Sequence, residues 1–199
     1  MYPDLTTIRQ LCFAAVSFLM QATELWGTTA AGGHRMHREE VEALYRQHGA
    51  ALLAYAASLL RSRAMAEDIL HQVFLSLLKG RVPILANPKA YLFRAVRNAA
   101  WNEHRTVGRE IELEERDAWF TAPFGGVEDS LALQAALLRI PEEQREVIVM
   151  HIWGELSFEE TALVVGVSAN TAASRYRYGL SKLRGLLQPA EVNQHAARK

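Results

Sequence analysis

The sequence predicts an all-α protein made of two small helical domains joined by a short linker. Three observations carry this. Apolar residues recur at three- and four-residue steps in run after run, the spacing of a helix with one buried stripe. Gly80, Pro83, Pro88, Pro141, Gly154 and Gly166 mark the ends of those runs or the loops between them. A short acidic connector separates two blocks that are neutral to basic. The domains expected are 36–106 and 130–188, with a linker over 107–129, an N-terminal extension over 1–35 and a polar tail over 189–199.

The first strong period runs from His37 to Leu60, through Val41, Leu44, Tyr45, Leu52, Leu53, Tyr55, Ala56, Leu59 and Leu60. Ser62 is placed to cap a second helix, Arg63 to Lys79, whose buried stripe is Ile69, Leu70, Val73, Phe74, Leu77 and Leu78. Gly80 ends it, and Pro83 makes the following stretch a loop. Asn87-Pro88 opens a third helix, with asparagine at the cap and proline at the first position, where its missing N–H is harmless. That helix, Pro88 to about Arg105, turns Tyr91, Leu92, Ala95, Val96 and Ala99 inward. Lys89, Arg94, Arg97, Asn98, Trp101 and Arg105 lie on its other side. Cations around a ring suit a surface that tracks phosphates and stacks on unpaired bases. Tyr91 and Phe93 are better read as core, because one helix cannot point both outward along with Arg94 and Arg97.

The connector holds Pro123, Gly125, Gly126 and the acids Glu112, Glu114, Glu115, Asp117, Glu128 and Asp129. Trp119 and Phe120 within it either dock on a partner or cover a domain edge. Asp129-Ser130 opens a fourth helix carrying Leu131, Leu133, Ala136, Leu137, Leu138 and Ile140. Pro141 breaks it and starts a fifth, where Glu142 and Glu143 favour the positive end of the helix dipole. Val147, Ile148, Met150, His151 and Trp153 follow, and Gly154 closes it.

Ser157 to Leu187 is the most informative stretch. Ser157 and Glu160 form a capping box, and Ala162, Leu163 and Val165 give the short helix an apolar side. Gly166 supplies the left-handed helix end, Val167 re-enters the core and Ser168 caps the last helix. From Asn170 to Leu187 the charged residues are Arg175, Arg177, Lys182 and Arg184, with no acid among them. A short helix, a glycine turn and a basic second helix make a helix-turn-helix, whose second helix enters the DNA major groove. By shape alone, a helical hairpin with a solvated basic face fits as well. Asn170, Thr171, Ser174, Arg177 and Tyr178 are the candidate groove contacts, and Arg175 and Lys182 are better placed for phosphates, which fix register without reading sequence.

Composition narrows the function. Lys plus Arg and Asp plus Glu both number 22, so overall charge does not announce a nucleic-acid partner, although its distribution does. The single cysteine, Cys12, rules out a disulfide framework within the chain and fits a reducing, cytoplasmic setting. No Gly-rich phosphate loop, metal-ligand cluster or Ser/His/Asp arrangement is present. The expectation is a non-enzyme with no metal, no cofactor and no small-molecule substrate. Residues 1–35 stand apart: Asp4 to Trp26 has near-helical spacing, and GTTAAGGHR after it reads as a flexible linker. Leu11 to Met20 has the length of a signal-peptide core, but its flank is weak, with Arg9 opposed by Asp4. Met36 is an alternative start, and a partner-binding helix is the third reading.

Three segments together resemble a known family. Ala66–Leu78 (AEDILHQVFLSLL), Asn87–Arg105 (NPKAYLFRAVRNAAWNEHR) and Ile140–Leu187 are similar, in order, to parts of bacterial RNA polymerase sigma factors. The likeness is to the small extracytoplasmic-function group of the sigma-70 family and covers about Glu39 to Leu187. The resemblance implies a protein that binds core polymerase and directs promoter-specific initiation. Region 2 would read and melt the minus-10 element, and region 4 would read the minus-35 element. It implies that Asp68, His71, Gln72 and Leu75 on the second helix contact polymerase. It gives the minus-10 role to Arg81, Lys89, Arg94, Arg97, Asn98, Trp101 and Arg105, and the minus-35 role to the last helix. It implies promoter DNA, the polymerase core and an anti-sigma factor as partners. The alternative is a stand-alone helix-turn-helix regulator, which would dimerise on half-sites about one helical turn apart. Departures from the family pattern are Thr161, Ala172 and Ala173 in the helix-turn-helix, and His71-Gln72-Val73-Phe74 where the family reads Q-E-V-F, so that Gln72 stands where the family has an acid.

Overall fold

The structure is a computed structural model that describes residues 35–80, 87–107 and 127–187, and for 104–107 and 127 the backbone alone. The described residues form seven helices and no strand: α1 (Arg38–Leu60), α2 (Arg63–Lys79), α3 (Pro88–Val107), α4 (Val127–Arg139), α5 (Glu142–Ile152), α6 (Phe158–Val165) and α7 (Ala169–Leu187). The first three make one small helical domain and the last four another. The helix expected over Asp4–Trp26, the loop residue Arg81, the side chain of Arg105, most of the linker and the tail lie outside the described residues.

Local chemistry sets most helix ends. The Glu40 carboxylate accepts from the His37 backbone N–H at 2.7 Å at the start of α1. Ser62 Oγ accepts from the Met65 N–H at 3.4 Å, and Asn87 Oδ1 from the Ala90 N–H at 2.9 Å. In α6 the Ser157–Glu160 capping box is closed from both sides, at 2.8 and 3.1 Å. Gly166 ends α6 at φ 75 and ψ 39, in the left-handed region where a Cβ is unfavourable. Ser168 Oγ then accepts from the Thr171 N–H at 3.1 Å and starts α7. α4 begins at Val127, two residues before the expected Asp129.

The buried stripe of α2 is Ala66, Ile69, Leu70, Val73, Phe74 and Leu77, with Leu78 half-buried at its margin. In α6 the expected apolar side is corrected. Thr161, Ala162 and Val164 are buried, Val165 is half-buried and Leu163 is exposed. Positions 161, 164 and 165 recur at three- and four-residue steps, and 163 falls on the opposite side. Phe93 is fully buried, as the core reading requires, and its ring lies 5.3 Å from that of Tyr55.

The two domains pack on each other, α1 against α5 and α3 against α6. One hydrophobic cluster runs through both, from Leu52 and Phe93 to Ile148 and Leu156. This explains why Ala54 to Leu60 is buried without interruption. A helix covered on one side shows a stripe, whereas α1 is covered on two. Its small residues Ala54, Ala57 and Ser58 are buried along with the larger ones.

Candidate nucleic-acid interface

α7 presents one open face. Asn170 and Arg177 are exposed and Ser174 is half-buried between them, at steps of four and three. The Arg177 guanidinium donates to Ser174 Oγ at 3.3 Å, which aligns the two side chains. Together with Ala173, Phe158 and Tyr176 they line a shallow recess at the junction of α6 and α7. Tyr178 stands out from the same side, four residues after Ser174 and 67 % exposed. Thr171 is exposed beside the helix start, its Oγ1 2.9 Å from Ser168 Oγ. Arg175 is half-buried and Lys182, seven residues on, is exposed. Ala172, Gly179 and Leu183 anchor the inner side.

A ring cluster supports the helix from behind. His151 stacks on Phe158 with centroids 4.5 Å apart, and Tyr176 meets both rings edge-on at 4.8 and 5.5 Å. His151 Nδ1 lies 2.7 Å from the Leu156 carbonyl, so it carries the proton and donates there. Three elements are thus tied together where α7 begins to face outward.

The α3 face is different. Trp101 is exposed, and the Arg97 guanidinium carbon sits 3.8 Å from the centre of its ring. Arg94 and Asn98 are half-buried on the same helix, and burial followed by the neighbouring Arg97 charge lowers the Arg94 pKa. Lys89 and Arg97, however, turn toward the second domain. Lys89 Nζ donates to the Glu155 carbonyl at 2.8 Å. Arg97 Nε donates to Glu146 Oε1 at 2.8 Å and Nη2 to Oε2 at 3.4 Å. The Tyr55 hydroxyl donates to the same Oε1 at 2.9 Å. Burial opposes the Arg97 charge, but the hydrogen bond and charge of Glu146 outweigh it, and the Arg97 pKa rises. Burial, reinforced by Glu146, pushes the Tyr55 hydroxyl well above its ordinary value and keeps it a donor.

Sequence reasoning missed Tyr55, Arg145 and Glu146 as polar members of the interior. Arg145 and Glu146 are both 2 % exposed. A local signal was present: the run VIVM next to them puts four apolar residues in succession, which together face every side of one turn of α5.

On α2, Asp68, His71, Gln72 and Leu75 are all exposed and, at steps of three and one, share a face opposite the buried stripe. Leu75 is 49 % exposed. Beside it, Tyr45 meets Phe74 edge-on at 5.1 Å, and with Val41, Glu42 and Arg46 these rings line a shallow apolar recess. Among the described residues no helix is long and apolar enough to cross a membrane, and no group of three side chains is disposed to hold a metal ion.

Comparison with known proteins accounts for both domains. Residues 44–110 match the family described as sigma-70 region 2, and residues 130–183 match sigma-70 region 4. The chain is 30% identical over 169 residues to the RNA polymerase sigma-E factor of Streptomyces antibioticus, covering 79% of this chain and 89% of that protein. It is 28% identical over 163 residues to the extracytoplasmic-function sigma factor SigL of Mycobacterium tuberculosis, covering 77% and 92%. Its fold is similar to that of the sigma factor RpoE of Bartonella quintana, solved in complex with the anti-sigma factor NepR, at a TM-score of 0.65 and 24% identity over 75% of this chain and 97% of that one. Two matched regions in the family's order, at this coverage, do not favour a stand-alone regulator. The chain belongs to the sigma-70 family of RNA polymerase sigma factors, in the extracytoplasmic-function group.

Proposed function

We propose how this chain, a sigma factor that performs no chemistry of its own and carries polymerase to promoters, divides that work among its surfaces. The outer face of α7 reads the minus-35 element, with Asn170, Thr171, Ser174, Arg177 and Tyr178 toward the groove and Arg175 and Lys182 on phosphates. Arg81, Lys89, Arg94, Arg97, Asn98, Trp101 and Arg105 take the unpaired minus-10 strand, with Trp101 as a stacking ring. Asp68, His71, Gln72 and Leu75 meet the polymerase core. An anti-sigma factor restrains the protein, as one is bound to the RpoE protein that shares this fold. The setting is the cytoplasm, where polymerase and promoter are.

The observation that carries this reading is the α7 face: polar and cationic side chains at steps of three and four, open to solvent, behind a glycine turn and a rigid ring cluster. The test is reconstitution with bacterial core polymerase on promoter templates identified by sequencing transcripts after overexpression. The wild-type chain co-purifies with core and starts transcripts at discrete sites. Leu75→Arg lowers recovery of core at least about tenfold, because a charge replaces an apolar contact, and leaves the helical signal intact. No recovery of core by the wild-type chain would overturn the reading.

A further inference from the structure

The recess where α6 meets α7 contains side chains that the polar groove contacts do not use. Part of its lining is apolar: the rings of Phe158 and Tyr176 and the Ala173 methyl, all three half-buried. The rest is polar: Asn170 and Arg177 are exposed, and Ser174 stands between them. The rings are already in place. Phe158 stacks on His151 with centroids 4.5 Å apart and meets Tyr176 at 5.5 Å. His151 is held in turn by the Leu156 carbonyl at 2.7 Å, and the Ser157–Glu160 capping box fixes the backbone beside Phe158. A ligand group that enters therefore orders little that is not ordered beforehand.

Shape and chemistry narrow that group. The recess is shallow, and a small-molecule site must bury most of its ligand, so a whole cofactor does not fit here. One small apolar group does, presented by whatever α7 faces. On the major-groove edges of the bases the one apolar group is the thymine C5-methyl, and alanine and phenylalanine side chains suit it. The polar neighbours fit the same edges. Arg177 donates one N–H to Ser174 Oγ and keeps the rest of its fork for the O6 and N7 of a guanine. Among the described residues no carboxylate pairs with it. Position 173 controls entry. Alanine places a single carbon there, whereas a longer apolar side chain would fill the space beside the two rings.

We propose that this recess receives the methyl group of one thymine in the minus-35 element, so that Phe158, Ala173 and Tyr176 set specificity at that base pair. A helical turn rises about 5.4 Å and a base-pair step about 3.4 Å, so Arg177, one turn beyond Ala173, meets a base pair one or two steps away. The element thus pairs a methyl-read thymine with a nearby guanine. The inference rests on the assignment of α7 to the minus-35 element made above, and its test separates the two.

The probe is deoxyuridine, which differs from thymidine only in lacking the methyl group. Holoenzyme with bacterial core polymerase is titrated against promoter duplexes in which each minus-35 thymine, on either strand, is replaced in turn. At one position the change should weaken binding about three- to fivefold, the value of one buried methyl, and at the others by much less. At that same position 5-methylcytosine should bind better than cytosine by a similar factor, because the methyl returns without the thymine O4. Ala173→Leu should bring the thymine-to-uracil ratio there close to one, and Ala173→Ser, which stays small, should keep most of it. Recovery of core by each variant shows that it is folded. Equal binding of thymine and uracil at every position, or a preference that survives Ala173→Leu, would overturn the proposal. A holoenzyme indifferent to the whole minus-35 sequence would instead overturn the assignment of α7 on which it rests.

Discussion

α3 and α7 carry similar side chains and meet different fates. Each has several cations and an aromatic residue on one side, and each reads from sequence as a surface for nucleic acid. α7 has no acid within Asn170–Leu187, and among the described residues none covers Arg177, Tyr178 or Lys182, which are exposed. α3 faces a second domain, and a glutamate 49 residues further along the chain takes Arg97. The difference teaches that a basic helix face specifies an affinity for negative charge without specifying which negative charge. Among the described residues, no carboxylate pairs with Arg177 or Lys182 of α7. In α3 an internal one is already in place.

The strongest way to break this contrast is Glu146→Ala. It leaves Arg97 and the Tyr55 hydroxyl buried without their acceptor, and removing one partner of a buried pair typically costs about 3–5 kcal/mol. Thermal unfolding should fall accordingly, and a change below about 1 kcal/mol would mean that Glu146 does not hold the interface.

A second experiment sharpens the contrast within α7. Arg177→Ala should cost about 1–3 kcal/mol on the preferred minus-35 sequence and relax the preference at one base pair. Lys182→Ala should weaken all sequences alike and lower the salt-dependence slope by about 1. Fluorescence titrations of the holoenzyme at several salt concentrations distinguish the two, and identical behaviour would remove the split between base and phosphate contacts.

The smallest effect concerns acid. The Glu160 carboxyl is held below its ordinary range, first by the Ser157 backbone N–H and then by the Asn87 amide, against the opposing effect of burial. A depressed carboxyl stabilises the fold at pH above its unfolded value, near about 4.3, and this is lost as pH falls through its lower folded value. Denaturant midpoints should therefore drop below about pH 4.3, and Glu160→Gln should flatten part of that drop. An equally steep profile in the variant would assign the acid sensitivity to other groups.

Much of this was legible in the amino-acid order. Ser62, Asn87, Ser157, Gly166 and Ser168 each act at the position their chemistry favours, because capping involves atoms two or three residues away. The outward face of α2 followed from its period: with Ile69, Leu70, Val73, Phe74 and Leu77 turned in, Asp68, His71, Gln72 and Leu75 have nowhere to go but out. The α6 stripe was misread because Leu163 is more apolar than Thr161, and hydrophobicity was followed over geometry. Three flanking helices, α3, α5 and α7, decide which residues of so short a helix are covered.

Sequence alone therefore determined the helices, their ends, the all-α class and the outer faces of α2 and α7, since these depend on neighbours within a turn or two. Only the tertiary structure decided that Tyr55, Arg97 and Glu146 share one buried site. Their bonds span 91 and 49 residues. A charge that periodicity would leave in solvent becomes interior only when a second helix arrives with its counter-charge. No local pattern records that arrival.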